Sequence, residues 1–429
     1  MADHRFEAGG PIILIGYSGA VLATLSTYLP ERSLIFVDEP DVLRKRNAYA
    51  LTADSPTLRE LIEWEYLRAD EDPAYGADCF YHRYRDLQPR AVVPIIEYGV
   101  PFAARLAERY GVRGAGYGAA LALRDKARQR AITAAAGIAN PRSVAVTGPD
   151  QLQQFLTEVG GPVVLKPANR QGSLGTQVVH PGDDVAAVWH ACLRQDEGVF
   201  VPDRPMPLQM LAEEYIHGDE YSVEMMVEAG RSAFGAVTRK YLYPGVRPVE
   251  QGHLHPADID DALTARLLAD TERVVQAVGM NYGFVHCEWM VREGVPYFIE
   301  CAGRMAGDGI IELVLMAWDY DVVGEFYAMM QGSALTITPP ERATRYAAAW
   351  TSVADTPGVV AAVDGITDAE QVPGVRTAAT LPVGSRVHGL TGSADRVTLV
   401  TAAGDTPQAA LSNAQHAVSL LKVTVRPEE

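Results

Sequence analysis

The stretch 283–308, GFVHCEWMVREGVPYFIECAGRMAGD, holds two carboxylates where most chains bury apolar residues. The runs FVHCEWMV and VPYFIEC flank Arg-Glu-Gly and read as a β-hairpin. Folded at Glu293 and Gly294, it sets Glu288 and Glu300 roughly opposite each other, and alternation places His286 on the face of Glu288. Two carboxylates on one face of neighbouring strands repel unless positive charge lies between them. Magnesium, held through a few carboxylates and nucleotide phosphates, meets that need. A pair of exposed cross-strand glutamates is the alternative. Arg304 follows, where its guanidinium fork could grip a phosphoryl or carboxyl oxygen. The residues around it are small, so the loop can pass close to a ligand.

Two further stretches suit a polyanion. In PVVLKPANRQGSLGTQVV an apolar strand delivers Lys166, and a loop containing Gly172, Ser173 and Gly175 leads into a second strand. Such a loop can bring backbone N–H groups to phosphate oxygens while the lysine adds a point charge. It lacks the P-loop spacing and no helix follows directly, so a flexible turn remains the other reading. In LAEEYIHGDEYSVEMMV, Glu213, Glu214, Tyr215 and Ile216 precede a His-Gly turn, and Glu220 begins an alternating strand. The backbone there could meet an adenine edge, with Glu220 near ribose hydroxyls; a strand-turn-strand with solvated carboxylates is the alternative.

These groups need elements to hold them. The 429 residues are 48% hydrophobic and 21% charged, an ordinary globular composition long enough for two to four structural units. Net charge is −17, which argues against nucleic acid or an anionic membrane as partner. The N-terminal MADHRFEAGG does not read as a signal peptide, and no apolar run reaches membrane-spanning length, so a cytoplasmic protein is expected. Four scattered cysteines, Cys79, Cys192, Cys287 and Cys301, suit neither a disulfide framework nor a zinc site. Cys287 and Cys301 read as small buried strand residues rather than redox groups.

From the N-terminus, PIILIG, SLIFVDEP and AVVPIIEYG are strands alternating with helical segments, which predicts an open parallel α/β domain over residues 1–115. Gly16 and Gly19 after the first strand lack dinucleotide-binding spacing and read as a tight turn. Glu97 follows the third strand, at the end where ligands of such sheets gather; an exposed loop carboxylate is the alternative. LRDKARQRAITAAAGIANP reads as a helix closed by Gly137. Residues 116–335 mix strands and helices, with a lid over about 145–215. Residues 336–429, with short strands, Gly-Pro turns and the helix TPQAALSNAQHAVSLL, read as an α+β lobe.

RDK at 124–126, VVLKP at 163–167, the GSLGT loop, EEYIHGDEYSVE and the HCE…FIE…R hairpin, in this order, resemble the ATP-grasp superfamily. Within it, VEQGHLHPA, with Glu250 and His253 three apart, and the texture of the C-terminal lobe resemble the L-amino acid ligases that make dipeptides, the bacilysin type in particular. The resemblance implies an ATP-grasp fold, α/β and α+β, with an N-terminal open parallel α/β domain. It implies that Lys126 and Lys166 hold ATP phosphates under the 172–176 loop, that residues 213–216 form the adenine hinge, and that Glu220 binds ribose. Glu288 and Glu300 would hold one or two Mg2+ ions, with Mn2+ as a substitute. Arg304 would steady an acyl phosphate and the tetrahedral intermediate. Glu97, Glu250, His253 and the backbone near Gly307 would shape an amino-acid pocket, with Glu97 facing an ammonium group. Many ATP-grasp enzymes place a metal-binding asparagine two residues after the second glutamate; here the residue is Ala302.

The activity so implied is ATP-dependent amide or dipeptide formation through an acyl phosphate, from small carboxylate and amine substrates, by a chain whose relatives are often homodimers. A carboxylase or formate-using ligase of purine or biotin-type metabolism is the second expectation, which Glu250, His253 and the C-terminal lobe oppose. A nucleotide-binding regulator without turnover is the third, and it predicts loss of a lysine or metal glutamate; all four positions are filled.

Overall fold

The computed structural model describes residues 9–67, 72–194 and 198–427, so residues 1–8, at the start of the proposed N-terminal domain, lie outside the described residues, as do the lid residues 195–197. A parallel four-stranded sheet forms first, in the spatial order Leu58–Glu63, Leu34–Asp38, Ile12–Ile15, Ala91–Pro94. Ile12–Ile15 is buried along its whole length, as expected of a strand covered on both faces. Gly16 ends it at φ +93°, and a Cβ there would meet the Ile96 side chain at 2.4 Å. The turn therefore demands glycine. Ser18 then caps the short helix Gly19–Leu25 by accepting from the Val21 N–H.

The strand Leu58–Glu63 was not expected. Its sequence, LRELIE, mixes charged and apolar residues without β-branched enrichment, and it lies at the sheet edge, where charge is tolerated.

The segment expected to act as a lid holds a four-stranded antiparallel sheet in the order Ser143–Val146, Met210–Glu214, Val163–Pro167, Gln177–Val179. The helices Pro149–Val159 and Val185–Leu193 cover it around Leu152, Phe155 and Trp189.

The largest sheet has eight strands, in the order Val295–Ala302, Gly283–Arg292, Asp219–Glu228, Arg231–Leu242, Glu250–His255, Tyr346–Val353, Arg396–Gly404, Val375–Thr380. Its strands come from both sides of residue 335, the expected domain boundary, which itself lies in a segment outside the sheet. Glu250–His255 pairs with Tyr346–Val353, and at that seam Gly252 lies opposite Trp350. A Cβ on Gly252 would stand 2.2 Å from the Trp350 ring, so the two halves of the sheet meet more closely than a side chain allows. Helix Asp261–Val278, capped by Asp260 and ended by Gly279 at φ +73°, packs Leu267, Val274 and Val275 against the sheet. No helix among the described residues is long and apolar enough to cross a membrane.

Candidate active site

Glu293 and Gly294, at φ +53° and +74°, close the hairpin tightly and fix its register. Glu288 faces Glu300, and Cys287 faces Cys301, with a bulge just after Glu288. The two cysteines are buried, free strand residues. The same alternation brings His286 Nε2 to 3.1 Å from Glu288 Oε1, while its Nδ1 lies 2.9 Å from Glu224 Oε1. Burial alone would lower the imidazole pKa, but the two carboxylates override it and lift it to about 10. The Glu288 carboxyl is held well below the usual range: burial works against ionisation, and Lys240 and His286 outweigh it.

Glu300 pairs with Lys126, whose Nζ lies 2.8 Å from Oε2 and also donates to the Arg170 carbonyl. Asp125 caps the helix Lys126–Ala135 by accepting from the N–H groups of Ala127 and Arg128, which orients Lys126 at its first turn. Gln129, on the same helix, exchanges hydrogen bonds with both backbone groups of Cys301 and so locks the helix to the strand bearing Glu300.

Lys166 is buried, which lowers its pKa, and its Nζ lies 2.6 Å from Glu213 Oε2. Arg130 grips the same carboxylate with two hydrogen bonds of 2.6 and 2.9 Å. Burial opposes the charge on Glu213, but the two cations prevail and bring its pKa down to about 2. The Glu213 side chain is therefore spent on positioning Lys166. The N–H groups of Glu214 and Tyr215 go to the carbonyls of Arg142 and Pro162. Gly172, Ser173 and Gly175 all have positive φ, and the Gly172 carbonyl accepts from the Ser393 N–H at 3.1 Å, so this loop rests on the C-terminal lobe.

Glu97 is buried at the carboxyl end of its strand. Arg124 donates to Oε1 at 3.2 Å, and Arg304 Nε stands 3.1 Å from Oε2, off the hydrogen-bond line, so that contact is an ion pair without a hydrogen bond. His253 is 1% exposed, and neither ring nitrogen has a hydrogen-bond partner among the described residues. Burial holds its pKa down at about 4, so the ring is neutral. A buried polar group left without a partner is costly unless a ligand supplies one.

All the expected positions line one cavity of about 1570 Å³: Glu97, Lys126, Lys166, Gly172, Ser173, Gly175, residues 213–216, Glu220, Glu250, His253, Glu288, Glu300, Arg304 and Gly307. Glu220 stands with Glu250 and Glu288 around the Lys240 ammonium. Burial, only partly offset by Lys240, raises the Glu220 pKa to about 7.

Several lining residues were not picked out from the sequence. Lys240 left no local signal: it follows Arg239 in a strand that mixes buried with partly exposed residues. Arg396 from the C-terminal lobe lies 2.5 Å from Asp308, which has φ +55° in the loop after Arg304. Nothing local marks that pair, because its partners are 88 residues apart. Arg124 lay within the RDK motif and was passed over for its lysine.

The donor set at Glu288 and Glu300 suits a small hard cation: oxygen ligands only, on rigid paired strands, one of them kept ionised.

Residues 159–312 match the ATP-grasp domain family and residues 350–426 match the L-amino acid ligase C-terminal domain 2. The chain is 30% identical over 251 residues to uncharacterized protein y4rH of Sinorhizobium fredii, a match that covers 58% of this chain and 50% of that protein. It is 24% identical over 340 residues to an alanine–anticapsin ligase of Bacillus subtilis strain 168, covering 73% of this chain and 71% of that protein. The first relatives are matched over about half of their length. In fold it superposes on an L-amino acid ligase from Bacillus licheniformis with TM-score 0.78 and 15% identity, over 98% of this chain and 100% of the other. The chain thus carries an ATP-grasp domain over residues 159–312 and an L-amino acid ligase C-terminal domain over residues 350–426.

Proposed function

We propose that the chain is an ATP-dependent ligase that joins the carboxylate of one amino acid to the amine of another through an acyl phosphate, releasing ADP and phosphate. The single cavity carries the proposal. At about 1570 Å³ it exceeds the roughly 300–1,000 Å³ of an ordinary ligand pocket, and its lining is continuous from the Lys126, Lys166 and glycine-loop side to Glu97, Glu250 and His253. A nucleotide and small substrates can share it.

In the first step a substrate carboxylate oxygen bonds to the γ-phosphorus, and the bond to the β,γ-bridging oxygen breaks. In the second the amine nitrogen attacks the acyl carbon, and phosphate departs with the C–O bond. Lys126 and Lys166 neutralise charge on the transferring group, which is most of what such a step requires. Glu288 and Glu300 would hold Mg2+, or Mn2+ in its place, whose chemistry is further neutralisation of phosphate charge. Arg304, which lines the cavity and pairs with Glu97, would steady the acyl phosphate. Neutral His253 offers one donor and one acceptor to substrate. The glycine loop covers the phosphates and keeps water from the acyl phosphate.

An amino-acid substrate class is supported by the C-terminal domain type and by the relatives named alanine–anticapsin ligase. The test is a phosphate-release screen over pairs of amino acids with mass detection of products. An amide product with stoichiometric ADP is expected. Release of ADP with bicarbonate or formate alone, and no amide from any pair, would overturn the assignment.

A further inference from the structure

The turn 391–396 of the C-terminal lobe lines the cavity and meets both the glycine loop and the strand Glu250–His255. The Ser393 N–H donates to the Gly172 carbonyl, in the glycine loop, at 3.1 Å. Its Oγ donates to Glu250 Oε2 at 3.0 Å. Its carbonyl accepts from Arg396 Nε at 2.7 Å, and Arg396 also reaches the Glu250 carbonyl at 3.4 Å. Each polar atom of this one serine is thus used, and two of the bonds join the glycine loop to Glu250. The other Glu250 oxygen, Oε1, stands 3.3 Å from the Lys240 ammonium, so Ser393 and Lys240 hold the carboxylate between them.

The turn is braced from within. Asp395 Oδ2 accepts from the Thr391 N–H, the Thr391 hydroxyl and the Gly392 N–H at 2.7, 2.6 and 3.0 Å. Gly392 has φ −172°, extended backbone that suits any residue, so the turn itself does not call for glycine. The loop does: a Cβ at 392 would stand 3.0 Å from the Gly172 carbonyl oxygen and 3.3 Å from the Leu174 side chain. The lobe is cut back where the glycine loop lands on it.

We propose that this turn is the seat of the closed glycine loop, and that Ser393 is a positioning residue linking closure to Glu250, so that the amine is held in place only while the acyl phosphate is covered. The proposal rests on the ligase reading given above. An acyl phosphate has two fates. Attack by the amine nitrogen gives the amide. Attack by water breaks the same C–O bond, returns the acid and releases phosphate, with the water protons passing to phosphate and solvent. A seated loop keeps water out, and the same contact fixes Glu250 for the amine. The partition between the two products therefore reports on the seat.

Two variants cut the link at different points. Gly392→Val pushes on the loop; Ser393→Ala keeps the N–H to Gly172 and frees Glu250. Amide hydrogen exchange is followed in residues 172–176 and 391–396 with and without ADP and Mg2+. Amide and phosphate are counted at saturating ATP for the amino-acid pair that turns over best. In the wild type, ADP should slow exchange in both segments together. Gly392→Val should lose that protection in 172–176 and raise the phosphate released per amide several-fold. Ser393→Ala should keep the protection, yet raise that ratio and the KM for the amine several-fold, with the KM for ATP unchanged. A merely structural turn would lower the melting temperature and leave the ratio as it was, and that result overturns the proposal. So does ADP that binds the wild type and protects only one of the two segments, which decides the matter should the variants fail to fold. If no amino-acid pair yields an amide, the ligase reading falls, and the exchange data still decide whether the turn seats the loop. ADP that does not bind at all overturns both.

Discussion

Arg304 Nε stands 3.1 Å from Glu97 Oε2, and this contact joins the loop after the hairpin to the carboxyl end of a strand in the N-terminal sheet. Arg124 holds the other oxygen of the same carboxylate. Two guanidinium groups on one glutamate leave a net positive corner beside Glu97 in the cavity, suited to a carboxylate or phosphoryl oxygen.

Replacing Arg304 by alanine should therefore lower kcat by roughly 10²–10³-fold, the usual scale for removing one oxyanion donor. Nucleotide binding should persist, because the lysines and the glycine loop are untouched. Amide formation and ADP affinity, measured side by side, check this; near-normal turnover would remove Arg304 from the chemistry.

Glu300→Gln and Glu288→Gln should each weaken Mn2+ binding by at least 10-fold, as even residues behind the ligands of a metal site commonly do. Glu300→Gln also removes the negative charge that faces Lys126, whose ammonium keeps its hydrogen bond to the Arg170 carbonyl. Calorimetric titration of Mn2+ in the presence of ADP reads both effects.

Glu213→Gln should cost about 3–5 kcal/mol, the penalty for breaking a buried pair and leaving its partners uncompensated. Here Arg130 and Lys166 lose their shared carboxylate. The effect depends on pH. The Glu213 carboxyl titrates at about 2 in the folded chain against an ordinary 4.5, so its stabilisation is complete above pH 4.5 and fades as pH falls toward 2. Melting temperatures of wild type and variant should differ most at neutral pH and converge on acidification. A constant gap from pH 7 to pH 2.5 would refute the pairing.

The segment expected to act as a lid is tied to the residues of the N-terminal sheet region by Arg204, which donates to Glu39 Oε1 at 2.7 Å, and by Lys45, whose Nζ lies 2.9 Å from Asp203 Oδ1. Glu39→Gln combined with Lys45→Ala should speed amide hydrogen exchange in residues 172–176 and raise the KM for ATP several-fold with a smaller change in kcat. Unchanged exchange in that loop would show that these contacts do not govern closure.

The hairpin was readable from sequence because its register follows from alternation about Glu293-Gly294, which is local information. Glu97 was readable from its place past the carboxyl end of a parallel strand, but Glu250 and His253 were readable only through resemblance, since nothing near their strand announces a shared cavity. Lys240 and the Arg396–Asp308 pair were not readable. Their meaning depends on which strands become neighbours, and that is settled by packing across the large sheet. The edge strand Leu58–Glu63 escaped for the opposite reason: its local composition points away from the conformation its neighbour imposes.

The unbroken eight-stranded sheet, with Gly252 set against Trp350, bears on how this chain can be recombined. Glu250 and His253 sit on a strand whose far edge is supplied by the C-terminal domain. Exchanging that domain between relatives at residue 335 would cut through hydrogen-bonded pairing and reset the register of the pocket. Removing it would bare a strand edge open to self-association. The C-terminal domain is thus inherited with the pocket as one unit, and graft points that preserve specificity should fall outside the sheet, on the N-terminal side of the lid.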